Sequence, residues 1–253
     1  MKEINHIGIV GLGWLGMPLA KELSKKYHII GTTTTASKLV EEPTFKSICY
    51  QAYQGEAQQL QALQSCEVVI ITIPPKSPFY LQQIQEIGNA FPTHVKFIFT
   101  SSIGVYEDQK EPITELSKRK NTSLTEVEDW LIEFLGNRLI LLRLGGLVGE
   151  DRNPIHFLSG RLVQHGQAPV NFIHRRDILR AIDLLLEDQQ HWGAIFNLVS
   201  HEHPSKQAYY TKMAEQMNLT PPTFEYTVLD RLIIGTKFER ETKFQYINSI
   251  WTF

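Results

Sequence analysis

A glycine pattern near the start of the sequence carries the clearest chemical signal. Residues 11–16 read Gly-Leu-Gly-Trp-Leu-Gly, which fits the spacing G-x-G-x-x-G. Gly11 permits a tight turn, Gly13 lets the backbone approach a pyrophosphate, and Gly16 lets a following helix pack close to a strand. The pattern predicts a site for a dinucleotide.

The elements around this pattern are those that such a site requires. Residues 4–10 form an apolar, β-branched run that predicts a buried strand, and residues 17–26 carry apolar side chains at helical spacing. We therefore expect a strand, a turn that includes Trp14 and Leu15, and a helix whose N-terminus faces the phosphates.

The loop after the second predicted strand bears on the choice of dinucleotide. In such units an Asp or Glu at this place binds the ribose hydroxyls of the adenosine. Residues 31–38 read Gly-Thr-Thr-Thr-Thr-Ala-Ser-Lys and contain no acid. The hydroxyls of Thr32, Thr33 and Thr34, with Lys38, suit a 2′-phosphate better than a bare ribose, so we expect NADP, with NAD as the alternative. Another interpretation is a threonine-rich loop that contacts no ligand.

Two later apolar runs extend the predicted sheet. Residues 67–73 and 95–100 are typical of buried parallel strands. A cofactor would cross the carboxyl ends of such strands, so Ile73, Pro74 and Thr100 join the predicted cofactor site. Predicted helices alternate with the strands over residues 56–64, 79–90 and 123–135. This alternation predicts an α/β fold with a Rossmann-type, doubly wound parallel sheet.

The third of these helices has a predicted capping box, formed by Ser123 and Glu126. A further buried strand is predicted over residues 139–144, and Arg143 interrupts its apolar run. A buried guanidinium needs a partner, and Asp177 or Glu150 could supply the carboxylate.

Composition excludes several classes of partner. The chain of 253 residues has 25 basic and 27 acidic side chains, so no basic field for nucleic acid is expected. No apolar run is long enough to span a bilayer, and Met1 to Glu3 lead directly into a strand, so we expect neither a membrane segment nor a signal peptide. Cys49 and Cys66 form no C-x-x-C, which favours two reduced thiols in the cytoplasm. Residues 201–203 read His-Glu-His but lack a third ligand, so we expect a surface loop and no metal.

Four segments in the rest of the chain resemble the signatures of one family. These segments cover residues 97–106 (with Thr-Ser-Ser-Ile-Gly-Val-Tyr), 142–149 (Leu-Arg-Leu-Gly-Gly-Leu-Val-Gly), 170–177 (with Phe-Ile-His-Arg-Arg-Asp) and 196–198 (Phe-Asn-Leu). In this order they are similar to segments of the short-chain dehydrogenase/reductase superfamily, in its extended and atypical NAD-dependent epimerase/dehydratase branch. The resemblance covers most of the chain.

The resemblance carries expectations about organisation and ligands. It implies an NAD(P)-binding Rossmann domain over residues 1–149 and a small mixed substrate lobe over residues 150–253, part of which packs back on the sheet. It also implies hydride transfer, a sugar nucleotide or similar polar metabolite as the small-molecule substrate, and a homodimer.

The catalytic pair of that family is missing from this sequence. In the family a Tyr and a Lys four residues later exchange protons, and a Ser or Thr holds the substrate oxygen. Ser102 matches the Ser position, but no Tyr-x-x-x-Lys occurs between Ser102 and Arg143. When the helix is aligned on Glu128, Lys120 stands at the Tyr position and Leu124 at the Lys position.

Three hypotheses follow from this absence. In the first, an oxidoreductase or epimerase-like enzyme uses another acid or base beside Ser102, chosen from Tyr106, Lys120, Glu126 and His174. In the second, the protein binds NADP without turnover as a sensor or scaffold. In the third, it is a structural relative that has lost the function.

A second, more local resemblance competes with the first. Residues 7–20 are similar to the β-hydroxyacid dehydrogenases of the 3-hydroxyisobutyrate type, which would imply an all-helical second half with a catalytic Lys. The strand-like segments of the second half disfavour this alternative.

Overall fold

The computed structural model describes residues 3–226 and 231–252 of the chain. Met1 and Lys2, on which our expectation for the start of the chain partly rests, lie outside the described residues, as do residues 227–230 and Phe253. Within the two described ranges, no helix is both long and apolar enough to cross a membrane.

A mostly parallel sheet of eight strands confirms the predicted α/β fold class. In spatial order the strands are β11 (Ile195–Leu198), β7 (Leu139–Leu144), β6 (Lys96–Ser102), β5 (Val68–Ile71), β1 (His6–Val10), β2 (His28–Thr33), β4 (Phe45–Cys49) and β3 (Glu41–Glu42). β1 runs parallel to both β2 and β5, with Ile9 opposite Gly31 and Ile70. β3 pairs antiparallel with β4 at one edge. All four residues of β5 are fully buried, which is why their sequence is continuously apolar rather than alternating.

Helices follow the strands along the chain, as expected for a doubly wound sheet. They are α1 (Gly16–Leu23), α2 (Tyr80–Asn89), α3 (Ser123–Leu135), α4 (Ile155–Leu158), α5 (Arg175–Glu187), α6 (Lys206–Gln216) and α7 (Thr236–Thr242). The predicted helix over residues 56–64 is a 3-10 helix, Ala57–Leu63, with Leu60 and Leu63 buried as the spacing indicated.

The chain forms two compact units, each assembled from separated segments. Of the described residues, the first unit contains those within 1–101, 121–142 and 182–195, and the second contains those within 102–120, 143–181 and 196–253. The chain therefore passes between the two units several times. Our assignment of residues 1–149 to a cofactor domain and of residues 150–253 to a substrate lobe that partly packs back on the sheet stays a prediction.

The first unit contains strands β1 to β5 and helices α1 to α3. The C-terminal part of α5 also belongs to it, because Lys26 donates to the carboxylates of Asp183 and Glu187, at 2.7 Å each. Helices α2 and α3 pack closely at Gly88, where a Cβ would lie 2.7 Å from the Trp130 ring.

The second unit contains two small parallel pairs of strands. β8 (Gly146–Val148) pairs with β10 (Phe172–His174), and β9 (Leu162–Val163) pairs with β12 (Thr223–Phe224). Its core is rich in aromatic side chains, including Phe172, Tyr209 and Tyr210. Strands in this half of the chain do not match the all-helical second half that the β-hydroxyacid dehydrogenase resemblance implied.

The capping box of α3 lies one residue earlier than predicted. The Thr122 hydroxyl accepts from the Thr125 N–H at 3.3 Å, and the Thr125 hydroxyl accepts from the Thr122 N–H at 2.8 Å. Thr122 has the extended backbone of an N-cap residue, with φ −142° and ψ 163°. Thr122, Ser123 and Thr125 all carry a hydroxyl group that could cap the helix, so the sequence pattern alone did not identify which of them is the N-cap residue.

Candidate functional site

The turn between β1 and α1 is fixed by close backbone contacts. Gly11 has a φ of 106°, which glycine adopts without strain. Its N–H donates to the Thr32 hydroxyl at 3.1 Å, and its carbonyl oxygen accepts from the Thr72 hydroxyl at 2.6 Å. A Cβ on Gly16 would lie 2.1 Å from the Gly11 carbonyl oxygen, so only glycine fits at the start of α1. Gly11 and Gly16 therefore set the shape of the turn.

Gly13 differs from the other two glycines because it faces open space. A Cβ built on Gly13 meets no heavy atom within 4 Å. It lies on a cavity of about 360 Å³ in the first unit, which we call the glycine-turn cavity. The cavity is lined by Val10, Gly11, Leu12, Gly13, Thr32, Thr33, Thr34, Thr35, Lys38, Tyr50, Gln51, Ala52, Thr72, Ile73, Pro74 and Gln83.

The predicted threonine loop lines this cavity, but its members have different positions. Thr32 and Thr33 are buried, and their hydroxyls accept from the backbone N–H groups of Gly11 and Thr35. Thr34 and Lys38 are exposed. Of the residues that we predicted in this loop, Thr34 and Lys38 therefore have side chains open to a ligand, as does the neighbouring Thr35.

Four of the predicted cofactor residues do not line the glycine-turn cavity. Leu15 and Gly16 are buried beneath the turn, and Trp14 is half-buried beside them. The Thr100 hydroxyl donates to the Ile71 carbonyl oxygen at 3.0 Å, across neighbouring strands. This contact gives Thr100 a place in the sheet rather than on the cavity wall.

Sequence reasoning missed several lining residues. Tyr50, Gln51 and Ala52 follow the carboxyl end of β4, so the strand-end rule that selected Ile73 could have found them. The Tyr50 hydroxyl donates to the Glu86 carboxylate at 2.6 Å, which fixes this segment against α2. Gln83 comes from α2 itself, and no sequence signal indicated it.

A second cavity, of about 340 Å³, lies in the second unit and contains Ser102. We call it the Ser102 cavity. Its wall consists of Ser102, Ile103, Gly104, Gly145, Gly146, Ala168, Pro169, Val170, Asn171, Phe172, Lys206, Tyr210 and Arg231. The Ser102 hydroxyl accepts from the Gly104 N–H at 3.0 Å, so this bond leaves the hydroxyl proton available to another acceptor.

Two cationic side chains on this wall, Lys206 and Arg231, were not predicted. Arg231 donates to the carbonyl oxygens of Ile103 and Tyr106, at 2.8 and 3.3 Å, and forms an ion pair with Asp108. These bonds hold the loop that follows Ser102. Arg231 belongs to the tail of the chain, residues 224–253, in which the sequence indicated only short strand-like pieces and a polar middle.

Tyr106 lies in the core of the second unit and not on the Ser102 cavity. It is fully buried, and its hydroxyl donates to the Asn197 side-chain oxygen at 2.6 Å and accepts from Arg143 at 2.8 Å. Burial raises the pKa of the Tyr106 phenol above its ordinary value, so the phenol stays protonated near neutral pH. A hydroxyl that is enclosed and bonded in this way has no exposed face for a substrate.

The hydrogen bonds around Tyr106 also explain why the apolar strand β7 contains a charged residue, Arg143. Arg143 donates to the Tyr106 hydroxyl and to the Glu115 carbonyl oxygen, at 2.8 and 3.3 Å. The two acids that we considered as its partners form other pairs. Asp177 binds Arg180 at 2.7 Å, and Glu150 binds Arg175 and Arg176.

The remaining catalytic candidates lie away from the wall of the Ser102 cavity. His174 is 4% exposed, and its Nδ1 accepts from the Arg176 N–H at 3.2 Å. Burial lowers the pKa of His174, so the ring is neutral near pH 7. Lys120 is half-buried in the second unit, and Glu126 is exposed in the first turn of α3 in the first unit. The structure therefore places neither Lys120 nor Glu126 beside Ser102 on that wall.

Solved structures share this fold over almost the whole chain. A protein of Methylobacillus flagellatus described as an NAD-dependent epimerase/dehydratase superposes with a TM-score of 0.78 at 18% identity, covering 97% of this chain and 94% of that one. The UDP-glucuronic acid 4-epimerase of Bacillus cereus, in complex with NAD, superposes with a TM-score of 0.80 at 17% identity, covering 97% and 95%. No protein-family model matches the chain. The chain therefore has the fold of the NAD-dependent epimerases/dehydratases, as the sequence resemblance predicted.

Sequence similarity then narrows the class. The chain is 34% identical over 265 aligned positions to Protein YeeZ of Escherichia coli strain K12, covering 96% of each chain. It belongs to the YeeZ family.

Proposed function

We propose that this protein binds a nicotinamide dinucleotide, with preference for NADP, and acts as an oxidoreductase or epimerase-like enzyme on a sugar nucleotide or a similar polar metabolite. Dinucleotide binding is supported above all by the position of Gly13, which lies on an open cavity. Gly11 and Gly16, in contrast, are in close contact with each other. Because Gly13 has no side chain, this arrangement leaves room for a pyrophosphate beside its backbone.

The residues of the glycine-turn cavity fit such a cofactor. The pyrophosphate would lie against Gly13, and Thr34 and Lys38 would hold the 2′-phosphate of NADP. Lys38 and the threonine hydroxyls favour an additional phosphate at this end, and the described residues of the cavity wall include no carboxylate. When bound, the cofactor supplies a hydride acceptor or donor.

The proposed substrate class is supported by the neighbours and by the Ser102 cavity. The Bacillus cereus 4-epimerase has been solved with both UDP-glucuronic acid and NAD. On the Ser102 cavity, Lys206 and Arg231 offer positive charge, and Ser102 and Tyr210 offer hydroxyl groups. These groups suit an anionic, hydroxyl-rich metabolite.

A thermal-shift titration with NADP(H) and NAD(H) side by side tests cofactor binding. A ligand that binds only the folded state raises the unfolding midpoint in proportion to RT ln(1 + [L]/Kd). We expect a larger shift with NADP(H) at equal concentration. No shift with either dinucleotide would contradict the proposal. Substrate screening then needs product analysis beside nicotinamide absorbance, because an epimerase regenerates its cofactor.

The second candidate function is a sensor or scaffold that binds NADP without turnover. The absence of a Tyr-x-x-x-Lys pair between Ser102 and Arg143 favours it. The two candidates differ in turnover, since the sensor binds dinucleotide and releases no product with any sugar nucleotide. The two free thiols, Cys49 and Cys66, support a proposed cytoplasmic location.

A further inference from the structure

Helix α6 contributes two titratable side chains to the wall of the Ser102 cavity. Lys206 and Tyr210 are four residues apart, so they lie on the same face of the helix, and both line the cavity. Within the part of the chain that the structure describes, Lys206 is the one lysine and Tyr210 the one tyrosine on this wall. The sequence order, Lys before Tyr, is the reverse of the missing Tyr-x-x-x-Lys pair, and the helix is a different one.

The position of α6 is fixed by its first turn. The Ser205 hydroxyl accepts from the Ala208 N–H at 3.1 Å, which caps the helix as Ser side chains commonly do. The Lys206 N–H donates to the Ala168 carbonyl oxygen at 2.8 Å, and its side-chain Nζ donates to the Gln164 carbonyl oxygen at 3.2 Å. Lys206 is therefore held at the cavity wall by backbone groups, with no carboxylate among these bonds.

The surroundings of Lys206 favour loss of its proton. Burial lowers the pKa of the Lys206 ammonium, and the nearby positive charge of Arg231 lowers it further. Arg231 is paired with Asp108, and the Tyr210 phenol is a third titratable group on the wall. Burial raises the pKa of Tyr210 to about 12, so this phenol stays protonated while the lysine titrates.

We propose that Lys206 exchanges the proton with the substrate oxygen, while the hydroxyls of Ser102 and Tyr210 hold that oxygen by hydrogen bonds. This assignment rests on the proposed function. Neither Tyr106 nor His174 is available for the role, because both are buried and bonded within the second unit.

In the oxidative direction, the substrate loses one proton and one hydride. The substrate O–H bond breaks, and its proton passes to the neutral amine of Lys206, which becomes an ammonium group. The adjacent C–H bond breaks, and its electron pair leaves as hydride to the oxidised dinucleotide, which is the oxidant. A C=O bond forms, and reduction reverses each transfer.

A titration of the lysine side chains by NMR tests the proton exchange without any substrate. In protein labelled with ¹³C at lysine Cε, the Lys206 signal is identified by its loss in Lys206→Arg. We expect it to titrate at lower pH than the other lysine signals. A Lys206 signal that titrates together with exposed lysines would overturn the proposal.

Kinetics of the same variant test the role in turnover. Arginine keeps the positive charge but does not lose its proton in proteins. With a panel of UDP- and dTDP-sugars, we expect Lys206→Arg to lower kcat by about 100-fold or more, the usual contribution of a general acid or base. We expect kcat/KM for oxidation to rise with pH in the wild type, as Lys206 loses its proton, and this rise to be absent from the variant. Lys212→Arg is the matched control, because Lys212 lies on the same helix over the Trp251 ring, away from this cavity.

The outcomes separate this assignment from the proposed function. If Lys206→Arg keeps the wild-type kcat and only raises KM, Lys206 binds an anion and the proton-transfer role is wrong. If the wild type binds no dinucleotide, the proposed function fails independently of the lysine titration. Dinucleotide binding without turnover of any sugar in the panel would overturn the catalytic assignment and favour the sensor.

Discussion

The Thr72 hydroxyl donates to the carbonyl oxygen of Gly11 at 2.6 Å, which joins the end of β5 to the glycine turn. The same hydroxyl lies 3.3 Å from the Val10 carbonyl oxygen, and it would lie 2.8 Å from a Cβ on Gly16. The turn is thus held from a neighbouring strand, and no side chain occupies the space that Gly13 faces. Substitutions at the three glycines should therefore have different effects, on ligand binding at Gly13 and on stability at Gly11 and Gly16.

We predict that Gly13→Asp abolishes dinucleotide binding without loss of stability. The new side chain meets no protein atom near its Cβ, so folding is not disturbed. Its carboxylate stands where the pyrophosphate would lie, and like charges repel. Titration calorimetry should show Kd increased by more than about 100-fold, or about 2.7 kcal/mol. Binding at wild-type affinity would show that the glycine turn is not the dinucleotide site.

Gly16→Ala provides the contrasting variant. Its Cβ would lie 2.1 Å from the Gly11 carbonyl oxygen, so the turn must shift. We expect the free energy of unfolding to fall by about 1–3 kcal/mol, as in other overpacked sites. Urea unfolding of Gly13→Asp and Gly16→Ala side by side measures this difference, and equal stability of the two variants would contradict the geometry.

We predict that Thr34→Asp changes cofactor preference from NADP toward NAD. Thr34 is exposed on the glycine-turn cavity, and a carboxylate there would repel a 2′-phosphate and accept from ribose hydroxyls. The ratio of the two Kd values should change by about tenfold or more, which corresponds to about 1.4 kcal/mol. Ser37→Asp is the control, because Ser37 is exposed in the same loop but does not line the cavity. An equal change of the Kd ratio in both variants would show that the effect comes from the added negative charge in the loop and not from the position of Thr34.

Tyr106→Phe is predicted to destabilise the second unit. Removal of the hydroxyl leaves the buried Arg143 and Asn197 side chains each short of one partner. Unsatisfied buried polar groups cost about 1–3 kcal/mol, so urea unfolding should show a loss of that size. Tyr226→Phe serves as the control, because the Tyr226 side chain is 61% exposed. Unchanged stability combined with lost turnover would return Tyr106 to the list of catalytic candidates.

A pH-dependent contribution to stability is predicted for Glu67. Burial by itself raises the pKa of this carboxyl, but hydrogen bonds from the N–H groups of His6 and Asn5 outweigh burial and lower it below its ordinary value. A lowered pKa in the folded state stabilises the fold above the pKa of the unfolded chain, and this contribution disappears as pH falls through the folded pKa. Glu67→Gln should therefore lose about 1 kcal/mol at pH 7, a small value because water reaches part of the carboxylate.

Unfolding curves between pH 7 and pH 3 measure this effect. The difference between wild type and Glu67→Gln should shrink as the pH falls below about 4.5, the ordinary value for this group. Glu225→Gln, at an exposed position, provides the control. A difference that stays constant over this range would exclude the carboxylate charge as its source.

The predictable parts of this structure are those with local signals. Apolar runs located β1, β5, β6 and β7 to within two or three residues, because strands buried on both faces have continuous apolar sequence. The glycine spacing located the turn, since Gly11 and Gly16 are required by backbone geometry within six residues. Errors arose where several small polar residues were equivalent locally, as at the cap of α3.

The residues of the Ser102 cavity show the limit of local signals. Ser102 was found because it ends a strand of recognised pattern, whereas Lys206 and Arg231 come from segments far along the chain. Nothing in the sequence around Lys206 distinguishes it from a surface lysine at the start of a helix. In contrast, Tyr106 and His174 belong to recognisable segments, yet the fold buries them.

The sequence by itself determined the alternation of strands and helices up to β7, the glycine turn and the absence of the usual Tyr-x-x-x-Lys pair between Ser102 and Arg143, because each depends on residues that are neighbours along the chain. Only the tertiary structure decided which polar groups line a cavity and which are enclosed in the core. Exposure and hydrogen bonding depend on segments that are brought together from distant parts of the sequence, such as Tyr106 with Asn197 and Ser102 with Lys206. The spacing of residues along the sequence does not reveal such contacts, because they form only when the backbone folds.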